Sequence, residues 1–116
     1  MNELEELRIR IARFASERDW DQFHSPKNLS MALIVEAGEL LEHFQWLKQD
    51  ESFELPKDKL AAVEEELADI LVYLVRIADR LGIDLISATD RKISSNEAKY
   101  PADKVRGSAR KYTEYQ

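Results

Sequence analysis

The sequence predicts an all-α protein, because apolar residues recur at helical spacing through most of the chain, glycine and proline are scarce, and strand-like alternation is nearly absent. Only 3 Gly and 3 Pro occur in 116 residues, of which 44% are hydrophobic and 34% charged. A chain of this length supports a single core. Residues 1–116 are therefore expected to form one four-helix-type domain, with residues 102–116 as a polar, basic tail.

Taken in order, Asn2 and Glu5 make a weak capping-box pattern at the start of a first helix. Leu4, Leu7, Ile11 and Phe14 give it an apolar stripe, and it is expected to end near Asp19. The segment DWDQFHSPKN breaks the period and crowds Trp20, Phe23 and His24 into a loop. Ser25-Pro26 then supplies a cap followed by proline in the first turn, opening a second helix over about 27–47. KQDESFELP reads as a connection ending at Pro56. The third helix is expected over about 57–81 and is stopped by Gly82. Asp84 caps a fourth over about 85–99, and Pro101 prevents its continuation. The tail, ADKVRGSARKYTEYQ, shows no periodicity.

Several chemistries are excluded by residue type. The chain has no cysteine, hence no disulfide, thiolate nucleophile or cysteine zinc site. Its start, MNELEELRIRIARF, is charged throughout and unlike a signal peptide, and no apolar run reaches membrane-spanning length. Cytoplasmic residence, with no membrane partner, is the simplest expectation. The 3 glycines are scattered at 38, 82 and 107, so there is no glycine-rich phosphate loop. The two histidines lack the Glu-x-x-His spacing of a ferritin-like di-iron site, and no serine sits in a nucleophile motif. Net charge is −6, which disfavours a nucleic-acid polymer as partner. The sum hides an asymmetry, since residues 1–90 hold 10 Lys and Arg against 20 Asp and Glu, whereas residues 91–112 hold 7 against 2. A basic segment after an acidic one can supply counter-charges for an anionic substrate; a solvated basic tail is the plainer alternative.

Two acidic pairs carry the chemistry. On a helix each residue advances about 100°, so Glu36 and Glu39 lie about 60° apart on one face. Ala32 and His43 share their arc, Val35 and Trp46 border it on one side, and Leu29, Leu40 and Leu47 on the other. Glu66 and Asp69 repeat the device on the third helix, beside Ile70, Tyr73 and Ile77. A single E-x-x-E is ordinarily a solvated edge. Two pairs bordered by apolar residues are different, because desolvation and mutual repulsion must be relieved, and a divalent cation relieves both. Four carboxylates suit Mg²⁺, which prefers oxygen ligands and is often shared with substrate phosphates. Water is then the available nucleophile.

RDWDQFHSPKNL, EAGELLEHFQW, EELADILVYL, NEAKYP and GSARKYTEY, in this order, resemble the MazG-like all-α nucleotide pyrophosphohydrolases, most closely their dCTP pyrophosphatase branch. The resemblance covers roughly residues 13–113. It implies hydrolysis of a nucleoside triphosphate, dCTP or a modified relative, to monophosphate and pyrophosphate with Mg²⁺, in nucleotide-pool house-cleaning. It also implies a homo-oligomer, a dimer of dimers, with a neighbouring subunit completing the pocket. The metal carboxylates would be Glu36, Glu39, Glu66 and Asp69. The base pocket would draw on Trp20, Trp46, Tyr73 and Asn96, with Lys92, Lys99 and His24 near phosphate or sugar. Two positions depart from the family pattern: Val35 stands where many relatives have an acid, and Ile11 where a first-helix histidine is found. From spacing alone Trp46 and Tyr73 are more readily core residues than a base pocket, and His24, like most single histidines, a structural one. The alternatives are a related enzyme acting on dUTP or phosphoribosyl-ATP, and a non-catalytic helical interaction module.

Overall fold

The computed structural model describes residues 2–115. The regular elements among them are all helical: α1 (Glu3–Glu17), α2 (Pro26–Glu42), α3 (Lys57–Leu81), α4 (Leu85–Lys99) and the single turn α5 (Ala102–Val105). Short 3-10 segments lie at Asp21–Phe23, Glu51–Phe53 and Tyr112–Tyr115. The tail therefore contains two short helical turns despite its aperiodic sequence. The chain separates into two compact units, the first ending at Ile83 and the second beginning at Asp84. No helix of the described residues is long and apolar enough to cross a membrane.

The helix starts follow from side chains that accept from otherwise unpaired N–H groups. Asn2 accepts from the Glu5 N–H at 2.8 Å, Ser25 from the Asn28 N–H at 3.1 Å and Asp84 from the Ser87 N–H at 3.1 Å. Two helices end through a left-handed residue. At the end of α3, Gly82 (φ 68°) lets the Ile83 N–H reach Ala78 O and its own N–H reach Asp79 O. After α1 the same pair of bonds runs from Trp20 to Ala15 O and from Asp19 to Ser16 O, with Asp19 at φ 55° in the glycine-like position. Aspartate is among the residues that tolerate this conformation.

The second helix is shorter than its pattern predicts. α2 stops at Glu42, and residues 43–47 continue as turns in which His43 bonds Leu40 O, Phe44 bonds Leu41 O and Leu47 bonds Phe44 O. Three-residue bonds tighten the backbone, so the regular helical spacing assumed for Trp46 and Leu47 does not hold beyond His43, the cap residue. The sequence marks this end with neither glycine nor proline.

In the first unit α2 packs along α3, and α1 also packs on α3. The buried apolar residues are Ala15 from α1, Leu29 from α2, and Val63, Val75 and Ala78 from α3. This is a small core, and much apolar surface remains outside it. Met31, Ile34, Val35 and Leu41 of α2 are exposed, as are Leu60, Leu67, Leu71 and Leu74 of α3, spaced to form one stripe. Leu29, at 2% exposure, anchors α2. Leu29→Ala is expected to cost about 3 kcal/mol through lost burial and a residual cavity. A urea titration should show a lower midpoint with an unchanged slope; an unchanged midpoint would remove Leu29 from the core.

Candidate active site

Glu36 and Glu39 stand one turn apart on α2, and the packing of α2 on α3 brings Glu66 to meet them. One carboxylate oxygen from each of the three lies within 4.8 Å of the others. Glu36 Oε2 and Glu66 Oε2 are sealed from solvent and have no hydrogen-bond donor among the described residues. Two ionised carboxylates so placed repel each other in a poorly screened setting, and one remedy is a shared proton. Accordingly the Glu36 carboxyl is pushed up to about 7, first by the approach of Glu66, then by burial, then by Glu39 and Asp69.

The other remedy is a cation. Three convergent carboxylates, two with an unpartnered buried oxygen, fit a hard divalent ion that prefers oxygen ligands. Asp69, expected as the fourth acid, is not part of this close group of three. It adds repulsion at Glu36 and lines a neighbouring cavity, so it stands between the acidic cluster and that cavity.

The cavity, about 540 Å³, is formed by α1, the segment after it and α3. This lies in the range of small-molecule sites. Leu7, Ile11, Phe14, Leu71 and Val72 make it largely apolar, while Arg10, His24, Asp69, Tyr73 and Arg76 contribute polar groups. Trp20 joins the wall edge-on to Phe14, with ring centroids 5.6 Å apart, and edge-on to His24 at 6.3 Å. Ile11, at the position where the resemblance expects a histidine, makes that part of the wall apolar.

Of the residues singled out from sequence, Trp20, His24, Asp69 and Tyr73 thus come together on one cavity beside Glu36, Glu39 and Glu66. Trp46 does not line it. It follows the end of α2 and is 86% exposed. Lys92, Asn96 and Lys99 belong to the second unit, where spacings of four and three put them on one face of α4.

Arg76 escapes a reading of the sequence alone. It is 4% exposed, and it donates from Nε to His24 Nδ1 at 3.0 Å, from Nη2 to Asp21 Oδ1 at 2.6 Å and from Nη1 to Asp79 Oδ2 at 3.4 Å. Asp79 also accepts from Arg8 of α1 at 3.0 Å. Burial, then Arg76, and more weakly Arg80 hold His24 below its ordinary proton affinity, against an opposing pull from Asp21. One signal was present: Arg76 falls three residues after Tyr73 and seven after Asp69, on the same face of α3.

Comparison with known proteins bears on family and fold. Residues 31–115 match the model of the MazG-like family. The chain is 48% identical over 113 residues to dCTP pyrophosphatase 1 of Mus musculus and 48% identical over 114 residues to that of Homo sapiens, in each case over 96% of its own length. It spans 66% of the length of each of these relatives. A pyrophosphatase from Archaeoglobus fulgidus superposes with a TM-score of 0.81 at 42% identity, over 87% of this chain and 94% of that one. A family match across well over half the sequence, with 48% identity to these relatives over most of the chain, places this chain in the MazG-like family.

Proposed function

We propose that the protein is a Mg²⁺-dependent nucleotide pyrophosphohydrolase that converts dCTP, or a modified relative, to the monophosphate and pyrophosphate in the cytoplasmic nucleotide pool. The observation that carries this reading is the acidic cluster, in which two helices hold carboxylate oxygens together with no partner of their own. The named activity of the mouse and human relatives supports the substrate.

Glu36, Glu39 and Glu66 would hold the ion, with Asp69 completing the set on the cavity side. Bound there, Mg²⁺ supplies charge that offsets the negative charge developing on the phosphates and increases the acidity of bound water. The chain's own residues do the rest. A carboxylate oxygen of the set accepts a hydrogen bond from the attacking water and so orients it. Trp20 and Tyr73 offer flat faces for a base, worth about 1–3 kcal/mol per stacked ring. The apolar wall of Leu7, Ile11 and Val72 keeps bulk water from the nucleoside. In this reading the amide of Asn96 both donates to and accepts from the pyrimidine edge, and Lys92 and Lys99 contribute cationic groups for phosphates.

Trp46 enters through assembly. Its exposure, and the apolar stripes of α2 and α3 that one chain leaves uncovered, support a homo-oligomer in which a second copy covers these faces and Trp46 helps to close a pocket. A homotetramer built as a dimer of dimers accommodates both stripes.

Two measurements test this function. With Mg²⁺ the purified protein is expected to release dCMP and pyrophosphate from dCTP, and Glu39→Gln or chelator to lower the rate by at least about a hundredfold, since even supporting groups at metal sites are worth up to that much. Formation of dCDP and orthophosphate, or equal turnover by the variant, would refute it. The second is thermal melting in chelator. The Glu36 carboxyl binds protons more tightly folded, near 7, than its ordinary value of 4.5, so its contribution to stability is full below the lower value and is lost as pH rises through the upper one. Glu36→Gln is therefore expected to match wild type near pH 4 and to gain on it up to about pH 7, after which the gap stays constant; Mg²⁺ should narrow or reverse it. A variant that melts lower at pH 8 in chelator would make Glu36 a structural residue.

A further inference from the structure

The network around Arg76 has a consequence for recognition that the acidic cluster does not supply. Arg76 is the buried charged residue among those described, and its three nitrogens are committed to His24, Asp21 and Asp79. We propose that Arg76 is a positioning residue: by donating from Nε to His24 Nδ1 it fixes the imidazole as the neutral Nε2–H tautomer, which donates to a neutral acceptor oxygen in the nucleoside portion of the substrate. This rests on the nucleotide pyrophosphohydrolase reading given above.

The tautomer follows from the hydrogen bond. A guanidinium only donates, so a nitrogen that accepts from it at 3.0 Å carries no proton. In a neutral imidazole the proton is then on the other nitrogen. Nδ1 is occupied, and Nε2 is the ring nitrogen left for a ligand in the cavity that His24 lines. The ring is held from other sides as well. Trp20 packs edge-on to it, Arg80 Nε donates to His24 O at 3.1 Å, and Asn28 Nδ2 donates to Phe23 O at 3.0 Å. These contacts fix where the ring sits; Arg76 fixes which nitrogen bears the proton.

The class of acceptor follows from charge. A ring beside the Arg76 and Arg80 guanidiniums is disfavoured as a cation, and Asp21, the facing carboxylate, is already paired with Arg76. His24 therefore brings a dipole, not a charge, to a wall that is mostly apolar. A triphosphate calls for cations, whereas a base carbonyl or sugar hydroxyl is satisfied by a neutral N–H. Arg10, the other cation lining the cavity, is exposed and lies outside this network.

The test uses the ¹⁵N-labelled 116-residue chain. His24 and His43 are the two histidines of the chain, so a His24→Gln spectrum assigns the ring signals. Near pH 7.5, long-range ¹H–¹⁵N spectra of wild type should show an unprotonated Nδ1 and a protonated Nε2. Arg76→Lys keeps a positive charge but no longer offers the Nε–H, and should shift both signals towards the mixed-tautomer average. The variant's KM for dCTP should rise about five- to tenfold, the worth of one neutral hydrogen bond, with kcat within about twofold. Inhibition by dCMP should weaken by the same factor while inhibition by pyrophosphate stays the same. The double variant Arg76→Lys/His24→Gln should be no worse than His24→Gln, because two residues acting as a unit are not additive.

An Nδ1–H or doubly protonated ring in wild type overturns the proposal without any variant having to fold. So does unchanged dCMP inhibition, an equal loss of pyrophosphate inhibition, or additive effects in the double variant. If wild type shows the Nε2–H tautomer but turns over no nucleotide, the enzymatic reading fails and so does the proposed ligand, while the hold of Arg76 on the ring stands.

Discussion

The contact between Glu36 of α2 and Glu66 of α3 sets the terms for the rest of the first unit. Each carboxylate has an oxygen sealed from water and without a donor, so the pair opposes the helix packing that creates it. Leu29 and Val63 are buried on the same two helices, and such apolar burial offsets the repulsion where α2 packs on α3. α3 is the element on which everything else depends. Glu66, Asp69, Tyr73 and Arg76 follow one another at spacings of three, four and three, a single face that runs from the acids to the cavity and on to the buried guanidinium.

The two ends of that face solve the problem of buried charge in opposite ways. At one end three carboxylates converge with no cationic side chain paired to them among the described residues. At the other, Arg76 is surrounded by acceptors, with Asp21 and Asp79 on its terminal nitrogens and His24 on Nε. Removing a partner from a satisfied buried charge is costly, which makes the Arg76 end a fixed frame; the unsatisfied end has capacity to bind. The apolar cavity lies along the face between them.

Much of this was legible in sequence because it is local. Asn2, Ser25 and Asp84 announce helix starts by the chemistry of their side chains, and Gly82 announces an end by its backbone freedom. Spacing alone places Glu36 beside Glu39 and Glu66 beside Asp69. α1 ends where its pattern stops, near Asp19, an aspartate in a position that glycine usually marks. The misjudged part has an equally local cause: α2 loosens into turns after Glu42, where no breaker residue stands. Extending the α2 pattern through 47 set Trp46 at the border of the acidic arc, a helical spacing that the turns after Glu42 do not keep. What depended on long-range packing was hidden: Asp69 stands outside the close group of three, and Arg76 finds partners 52 and 55 residues away, distances over which a helical pattern carries no information.

The two tryptophans end in different surroundings, and that gives the molecule two optical reporters. Trp20 is 43% exposed, with its ring edge-on to Phe14 and His24 at the cavity, whereas Trp46 is 86% exposed. An indole in water emits at longer wavelength than one in an apolar setting and is open to collisional quenchers. Covering Trp46 by a second chain would change its emission more than filling the cavity beside Trp20 would change that of Trp20, so the two events differ in size as well as in source.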